Sequence, residues 1–510
     1  MKNIDKKMAE AAKSILGGRP MFEHQRLACA ALLAGRNVLL VSPTGSGKSL
    51  CYQLPTLLSG KPTLVVSPLI ALMDDQEEKT RSLGLSVGRL HSGVDLAKQW
   101  WTVGSWINGT LRILYTSPER LCDDRLRRSL GQRPPGLIVI DEAHCISTWG
   151  HRFRPAYRRL GETLNAFAKA PTLAMTASAR PAVRQDILQT LKLDDPLSII
   201  VPFSFPRLRL STVETYRPEE RLVFIAALAS SPGRLPMVVF CLTKKQCQST
   251  AYFLAQSGHS VTTYHAEMTV QDRADVATTF RGATRAVLVA TSAYEMGIDK
   301  SDIRTVVHSG LPTSLESYTQ GIGRAGRDGA DAVAVLLYSE RDLDILDAVA
   351  GHMPEVDGSP CTHAAAAKDI YDYASSTRSC RLAALNGHFF GPLHPEAHVL
   401  CGHCDTCQKR RPERALPAAA VALRKWRSRV ARERSLQAFA VLTDREIRRL
   451  CTICPKTEAD LEGIDGVRRS VLKEYGSNII AALWHPGQAG NGSAGDAERS
   501  LHYEPSGSDP

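Results

Sequence analysis

No run of the sequence approaches the roughly 18 uncharged apolar residues that a membrane-spanning helix needs. The first residues, MKNIDKKMAEAAKSILGG, carry charge but no apolar stretch of the kind found in secretory signals. A disulfide framework is also missing: the 13 cysteines are an odd number, and Cys29, Cys51, Cys122, Cys145, Cys241 and Cys247 stand alone in apolar or helical patterns. No tandem repeat at a solenoid period is visible. Together these absences exclude membrane spans, disulfide scaffolds and repeat arrays, and they predict a cytoplasmic protein without a membrane partner. What remains is a chain of 510 residues with 43% hydrophobic and 23% charged residues, enough for three or four ordinary domains.

The net charge is +11, and it is unevenly spread. Residues 1–408 hold 45 basic and 39 acidic side chains, residues 409–449 hold 13 and 4, and residues 450–510 hold 5 and 9. The surplus is a patch running from QKRRPER through LRKWRSRVARER, which points to a polyanionic partner or to a solvated basic helix face.

The first two-thirds alternate apolar β-branched runs with helical stretches. NVLLVSP (37–43), TLVVSP (63–68), RILYTSP (112–118), LIVIDE (137–142) and TLAMTAS (172–178) read as buried parallel strands. MVVFCLT (237–243), AVLVATS (286–292), TVVHSG (305–310) and AVAVLLY (332–338) form a second set. This predicts an α/β protein of two doubly wound parallel-sheet lobes with ligands at the strands' C-terminal ends. Residues 198–220, rich in Pro, Arg and Ser, read as the hinge between them, and the Gly/Ser-rich end from 488 to 510 reads as a disordered tail.

SPTGSGKS (42–49) follows the first strand and opens a helix, the context a P-loop requires. Thr44, Gly45, Ser46 and Gly47 would wrap phosphate oxygens with backbone N–H groups. Lys48 would reach the β- and γ-phosphates, and Ser49 would ligate Mg²⁺. Ser42 stands where the motif begins with Gly. In LIVIDEAH, Asp141 and Glu142 arrive at a strand's C-terminal edge, suited to hold Mg²⁺ and to activate water respectively. QGIGRAGRDG (320–329) offers Arg324 and Arg327, three apart, either to γ-phosphate charge or to nucleic-acid phosphates.

PTGSGKSLCYQ, SPLIALMDDQ, TSPERL, DEAHCISTWGHRFRPAY, YHAEMTVQDR, VATSAYEMGIDK and QGIGRAGRDG, in this order over residues 14–407, resemble the RecQ DNA helicases of superfamily 2. The resemblance implies two RecA-like lobes and ATP-driven 3′-to-5′ translocation on single-stranded DNA, coupled to unwinding of duplex DNA in recombination and repair. It also implies that Gln25 hydrogen-bonds adenine and that Arg327 is the arginine finger, with Arg324 beside it. Trp149, His151, Phe153 and Arg154 would form the loop that senses DNA. Gly18 and Phe22 stand where the family has its base-sandwiching aromatic and arginine, Glu295 where it has Gly, and Gly321 where it has Glu.

Cys380, Cys401, Cys404 and Cys407 read as C-x₂₀-C-x₂-C-x₂-C, a closed thiolate set for structural Zn²⁺; His403 within the run is a competing ligand whose place between two cysteines favours an exposed or supporting residue instead. Cys451 and Cys454 read as core residues of a helix. Residues 421–487 resemble the HRDC helical domain, in which Arg468 and Arg469 beside GIDGV could grip phosphates. The divisions expected are lobe 1 (1–205), lobe 2 (206–340), a helical zinc module (341–408), a basic linker (409–420), the HRDC-like all-α domain (421–487) and the tail. About a dozen residues separate Cys407 from that domain, so the family's winged helix does not fit between them. Three activities follow: a helicase, a DNA-stimulated translocase with weak unwinding, or a DNA-binding or annealing protein with little ATPase activity.

Overall fold

A computed structural model describes residues 2–484 except 19, 69, 92, 148–153, 168, 292–299, 351–360, 410–415, 435, 444–445, 448, 451–454, 456, 462–463 and 465–466. Trp149, His151, Phe153, Glu295, Cys451, Cys454 and the tail therefore lie outside the described residues. The chain divides into two compact units, residues 1–410 and 411–510.

The first unit contains two sheets whose strand pairs are all parallel. Strands β1 (Val38–Val41), β2 (Thr63–Val66), β3 (Val87–Leu90), β4 (Ile113–Thr116), β5 (Leu137–Ile140), β6 (Thr172–Thr176) and β7 (Leu197–Ile200) form one, in the order β3-β4-β2-β5-β6-β1-β7. Strands β8 (Leu208–Glu214), β9 (Met237–Cys241), β10 (Ser260–Tyr264), β11 (Ala286–Ala290), β12 (Thr305–Ser309) and β13 (Ala332–Tyr338) form the other, in the order β10-β11-β9-β12-β13-β8. Central strands are apolar on both faces because crossover helices cover both: VLLV, TLVV and LIVI are buried at every position. Side chains of alternate residues feed two separate cores, Leu39, Val41 and Ile140 on one face and Val38, Leu40 and Val139 on the other.

The hinge expected over 198–220 is much shorter. β7 continues to Ile200 and β8 begins at Leu208, leaving residues 201–207 between the sheets. Even this link is packed: Phe203 is buried, its N–H donates to Asn386 Oδ1 at 2.9 Å, and its ring meets Phe389 edge-on at 5.1 Å. The polar residues of LRLSTVE belong to a strand with Leu208 and Leu210 turned inward, not to a loop.

Helices Cys361–Ser375 and Arg381–Phe390 and the short helix Asp405–Lys409 lie against β8. A buried ion pair joins them: Arg381 Nε donates to Asp405 Oδ1 at 2.9 Å, while Asp405 Oδ2 accepts from the β8 amide of Thr212 at 3.1 Å.

The second unit is helical among its described residues. Helices Leu416–Glu433, Ala438–Val441 and Arg469–Trp484 enclose Leu423, Trp426, Ile447, Leu450, Tyr475 and Ile479. Arg468 is not free to take phosphates. Its Nε donates to Glu446 Oε1 at 2.8 Å and its Nη atoms to the carbonyls of Phe439 and Ala440. Burial alone would raise the Glu446 carboxyl, but the Arg468 contact and the Thr443 amide outweigh it and hold it down at about 2.

Two glycines in lobe 1 helices make opposite predictions. A Cβ on Gly161 would fall 1.8 Å from the carbonyl oxygen of Thr190, whereas one on Gly104 would meet nothing within 4 Å. Gly161→Ala is expected to destabilise the protein by about 1–3 kcal/mol. Gly104→Ala should be neutral or stabilise it by about 0.5–1 kcal/mol through helix propensity. Thermal unfolding of the two variants beside the wild type checks both.

Candidate functional site

The P-loop leaves β1 at its C-terminal end and turns into the helix Leu50–Ser59. Gly45 and Gly47 have φ of +83° and +75°, which only glycine adopts without strain, so the motif's glycines are required here by backbone geometry. Ser42 needs no such freedom. It is fully buried and donates its hydroxyl to Ser46 Oγ at 2.6 Å, bracing the loop where the motif usually has Gly.

Lys48 lies inside this turn, with Nζ donating to the carbonyls of Ser42 at 2.9 Å and Pro43 at 3.2 Å. Burial lowers its pKa, while the carboxylates of Glu142 and Asp141 act to restore it. Those acids follow β5, which lies two strands from β1 with β6 between. Burial and the adjacent Glu142 push the Asp141 carboxyl up to about 7, against the pull of Lys48. Glu142 has φ +47°, an uncommon conformation for a residue with a Cβ and worth about 1–3 kcal/mol of strain. Its amide donates to Asp141 Oδ1 at 2.9 Å, and its Oε2 lies 3.2 Å from His144 Nδ1. The same His144 nitrogen lies 3.0 Å from Thr176 Oγ1 at the end of β6, linking the acidic pair to the neighbouring strand. Tyr157 ties the other side, its buried hydroxyl donating to the carbonyl of Asp141 at 2.9 Å.

Lobe 2 completes the arrangement. The helix Leu315–Ile322 leads into Arg324 and Arg327, and this segment rests on the P-loop: a Cβ on Gly323 would lie 3.2 Å from Thr44 Cβ, and one on Gly45 3.8 Å from Arg327 Cγ. Arg327 Nε donates to the carbonyl of Gly323 at 3.2 Å, and its charge reaches Lys48. Arg324 is buried. Gly321 has a local reason to lack a side chain, because a Cβ there would fall 2.7 Å from His308 Nε2 and 3.2 Å from Phe240. The imidazole, stacked on Phe240 at 5.1 Å, occupies that space, and burial lowers its pKa to about 3.

A second link between the lobes, invisible in the motifs, runs through Arg180. Its Nε is 3.1 Å from Glu316 Oε1 on the lobe 2 helix and its Nη1 is 3.7 Å from Asp369 Oδ2. His388 closes the group, 3.5 Å from Glu316 Oε1 and 3.8 Å from Asp369 Oδ2. Arg180 lies outside the segments singled out in the sequence, four residues after β6 ends at Thr176.

Gln25 is buried at the foot of the P-loop, and beside it Phe22 and His24 stack with ring centroids 5.6 Å apart. Of the proposed DNA-sensing set, the described member is Arg154. It donates to the carbonyl of Pro68 at 2.9 Å and lies 4.0 Å from Glu119, between the SPLIALMDDQ and TSPERL segments.

The four cysteines converge, their Sγ atoms all within 4.8 Å of one another, with Cys401 to Cys407 at 4.0 Å and Cys404 to Cys380 at 3.9 Å. Tetrahedral Zn–S bonds of about 2.3 Å imply S···S separations of about 3.8 Å, so the set fits zinc. Backbone amides of Cys401, Cys404 and Cys407 donate to Cys380, Cys401 and Cys404 sulfurs at 3.3–3.4 Å, which favours thiolates. His403 does not compete, since its two ring nitrogens face the carbonyls of Cys401 and Phe205 at 2.6 and 2.9 Å.

Comparison with known proteins agrees with this geometry. Residues 22–187 match the DEAD/DEAH box helicase family, residues 222–329 the helicase conserved C-terminal domain and residues 417–483 the HRDC domain. The chain is 37% identical over 397 residues to the ATP-dependent DNA helicase RecQ of Pasteurella multocida, covering 77% of this chain and 61% of that one. It is 38% identical to the same-named protein of Haemophilus influenzae, covering 78% and 62%. The chain thus spans about three-fifths of the length of these relatives. Among solved structures, the DUF1998 helicase MrfA bound to DNA superposes with a TM-score of 0.55 at 20% identity, covering 66% of this chain and 49% of that one. S. cerevisiae Dbp5 bound to RNA and ADP BeF₃ superposes with a TM-score of 0.53 at 19% identity, covering 69% and 92%. Both share the fold of the two lobes. With a P-loop, an acidic pair and an arginine segment assembled across those lobes, the chain carries the two helicase domains and the HRDC domain in order and is similar over most of its length to RecQ DNA helicases.

Proposed function

We propose that this chain is an ATP-dependent DNA helicase that moves 3′-to-5′ on single-stranded DNA and unwinds duplex DNA in recombination and repair. The observation that carries the reading is the composite site, in which Arg327 of lobe 2 rests on the P-loop that holds Lys48. In this reading Gly45, Ser46, Gly47 and Thr44 wrap the phosphates, and Lys48 gives up its two carbonyl partners for β- and γ-phosphate oxygens. Glu142 orients and deprotonates the attacking water, held in its strained conformation by the Asp141 side chain. Arg327 and Arg324 meet the charge that develops on the γ-phosphate, a contribution available only while the lobes are together. Ser49 and Asp141 would hold Mg²⁺, which supplies charge neutralisation between the β- and γ-phosphates when bound. Opening of the lobes on product release would break the contacts of Arg327 and Arg180, and repeated closure would advance the strand past Arg154 and the adjoining Trp149, His151 and Phe153. A Cys₄ zinc site and a DNA substrate both go with a reducing, cytoplasmic location.

One observation favours a second output. Nine residues separate Cys407 from the start of the HRDC match at residue 417. A winged helix does not fit there, so a DNA-stimulated translocase with weak strand separation is the competing reading.

Lys48→Ala is expected to remove DNA-stimulated ATP hydrolysis, to below about one-hundredth of the wild-type rate, in a steady-state phosphate-release assay. Strand displacement on a 3′-tailed duplex, measured in the same preparations, separates the two outputs: robust hydrolysis without displacement selects the translocase. Cys404→Ser should lower both bound zinc, read by metal analysis of the purified protein, and the thermal unfolding midpoint, by several degrees.

A further inference from the structure

The helix Leu96–Ile107 makes the crossover from β3, an outermost strand of lobe 1, to β4. Its inner face packs on the lobe: Gln99, Thr102, Val103, Ser105 and Trp106 are buried, and the Trp106 indole N–H donates to the carbonyl of Arg133 at 3.0 Å. The outer face of such a helix is ordinarily polar and charged. Here Trp100 is 71% exposed, Trp101 67% and Leu96 69%, and Lys98 is the single charged side chain between Leu96 and Ile107. Leu96 and Trp100 are one turn apart and therefore adjacent. The three side chains offer about 450 Å² of apolar surface, a patch of the size that on a monomer is often functional.

Charge and pattern say what covers it. A nucleic-acid strand stacked on the indoles would need free cations beside them. The nearby cations are engaged: Arg120 Nη2 donates to Gln99 Oε1 at 2.9 Å and Nη1 lies 3.4 Å from Asp123 Oδ2, while Arg127 pairs with Asp124. Asp95 caps the helix and adds a carboxylate at its start. The exposed stripe, in contrast, is complementary to itself. Ala97 and Gly104 lie equally far along the chain from the midpoint of Trp100 and Trp101, which gives small–Trp–Trp–small at helical spacing. All four positions are exposed, and a Cβ on Gly104 would meet nothing within 4 Å. Two such helices set antiparallel about a two-fold axis at that midpoint bring Trp100 against Trp101 of the second copy and Ala97 against Gly104 of the second copy. The small residues let the two backbones close in around the rings, and the antiparallel setting opposes the helix dipoles.

We propose that this face is the contact of a homodimer, in which a second copy of this chain docks antiparallel on the helix Leu96–Ile107 with Trp100 and Trp101 at the two-fold axis. Two patches bury about 900 Å² at the centre, and a polar rim that includes Asp95, Lys98 and Asn108 brings the total to about 1,200 Å², where specific interfaces begin. The P-loop strand β1 lies five strands from β3, about 24 Å across the sheet, so pairing leaves the nucleotide site of each copy open. The proposal is independent of the nucleotide-hydrolysis reading.

The test is sedimentation of the full chain over a range of concentrations, without nucleotide or DNA. The wild type is expected to pass from monomer to dimer with a Kd of about 1–50 µM, the weak end for an interface of this size. The double variant Trp100→Ala, Trp101→Ala should weaken association at least about a hundredfold and leave ATP hydrolysis unchanged. Gly104→Gln, whose side chain meets open space in one copy, should weaken it about tenfold while the monomer keeps its unfolding midpoint. Register is read by mixing Ala97→Cys chains with Gly104→Cys chains in oxidised glutathione: the mixture should give a disulfide-linked dimer in greater yield than either variant alone. A wild type that stays monomeric up to about 100 µM overturns the proposal, as does a dimer that persists undiminished in the double tryptophan variant. If the wild type is monomeric and the double variant instead loses affinity for a single-stranded oligonucleotide, the patch belongs to nucleic acid and the proposal also fails.

Discussion

The site is organised around a half-buried ammonium. Placing a Lys charge inside a protein costs several kcal/mol even after relaxation, and it persists only if its donors are satisfied and an opposite charge is near. Lys48 meets that demand with two carbonyls of its own loop and with Asp141 and Glu142 from a strand two places away. Arg327, brought from the other lobe, works against it. Two cations and two carboxylates thus share a small volume in which Asp141 is itself raised by burial. In the proposed function, phosphate between Lys48 and Arg327 would relieve their repulsion and so tie ligand binding to the contact between the lobes.

How far the fold could be read from the sequence follows from where each strand sits. The nine strands recognised in advance, β1, β2, β4, β5, β6, β9, β11, β12 and β13, all lie inside their sheets, where helices on both faces demand continuous apolar runs. The four that escaped, β3, β7, β8 and β10, are the four outermost strands. VGRL, LSII, LRLSTVE and SVTTY keep polar residues because one flank lacks a neighbouring strand. The misplaced hinge has the same origin, since Arg and Ser on β8 look like linker composition. Function was legible where backbone geometry dictates residue type, as at Gly45, Gly47 and the cysteines. It was not legible where the partner is distant in sequence. Arg180 with Glu316, Tyr157 with Asp141, and Gln25 with the carbonyls of Ser46 and Gly47 have no spacing rule.

Two departures from the family pattern, Ser42 and Gly321, have local physical causes. Ser42 replaces a glycine that no positive φ requires and contributes a hydroxyl to the loop. Gly321 makes room for a neutral imidazole buried between Phe240 and Tyr318. Neither change disturbs Gly45, Gly47 or Lys48, so the sequence departs from the motif at its rim and keeps its centre.

The zinc module has a consequence beyond holding metal. β8 is a terminal strand of a fully parallel sheet, and its outward amide at Thr212 is satisfied by Asp405, two residues before the last cysteine. Arg381, next to the first cysteine, donates to the Thr212 hydroxyl at 2.6 Å. Unclaimed, such a border would be a template on which another chain could add a strand. By covering that border through Asp405 and Arg381, the segment that bears the four cysteines also shields the lobe from strand addition, and loss of its fold would expose the edge.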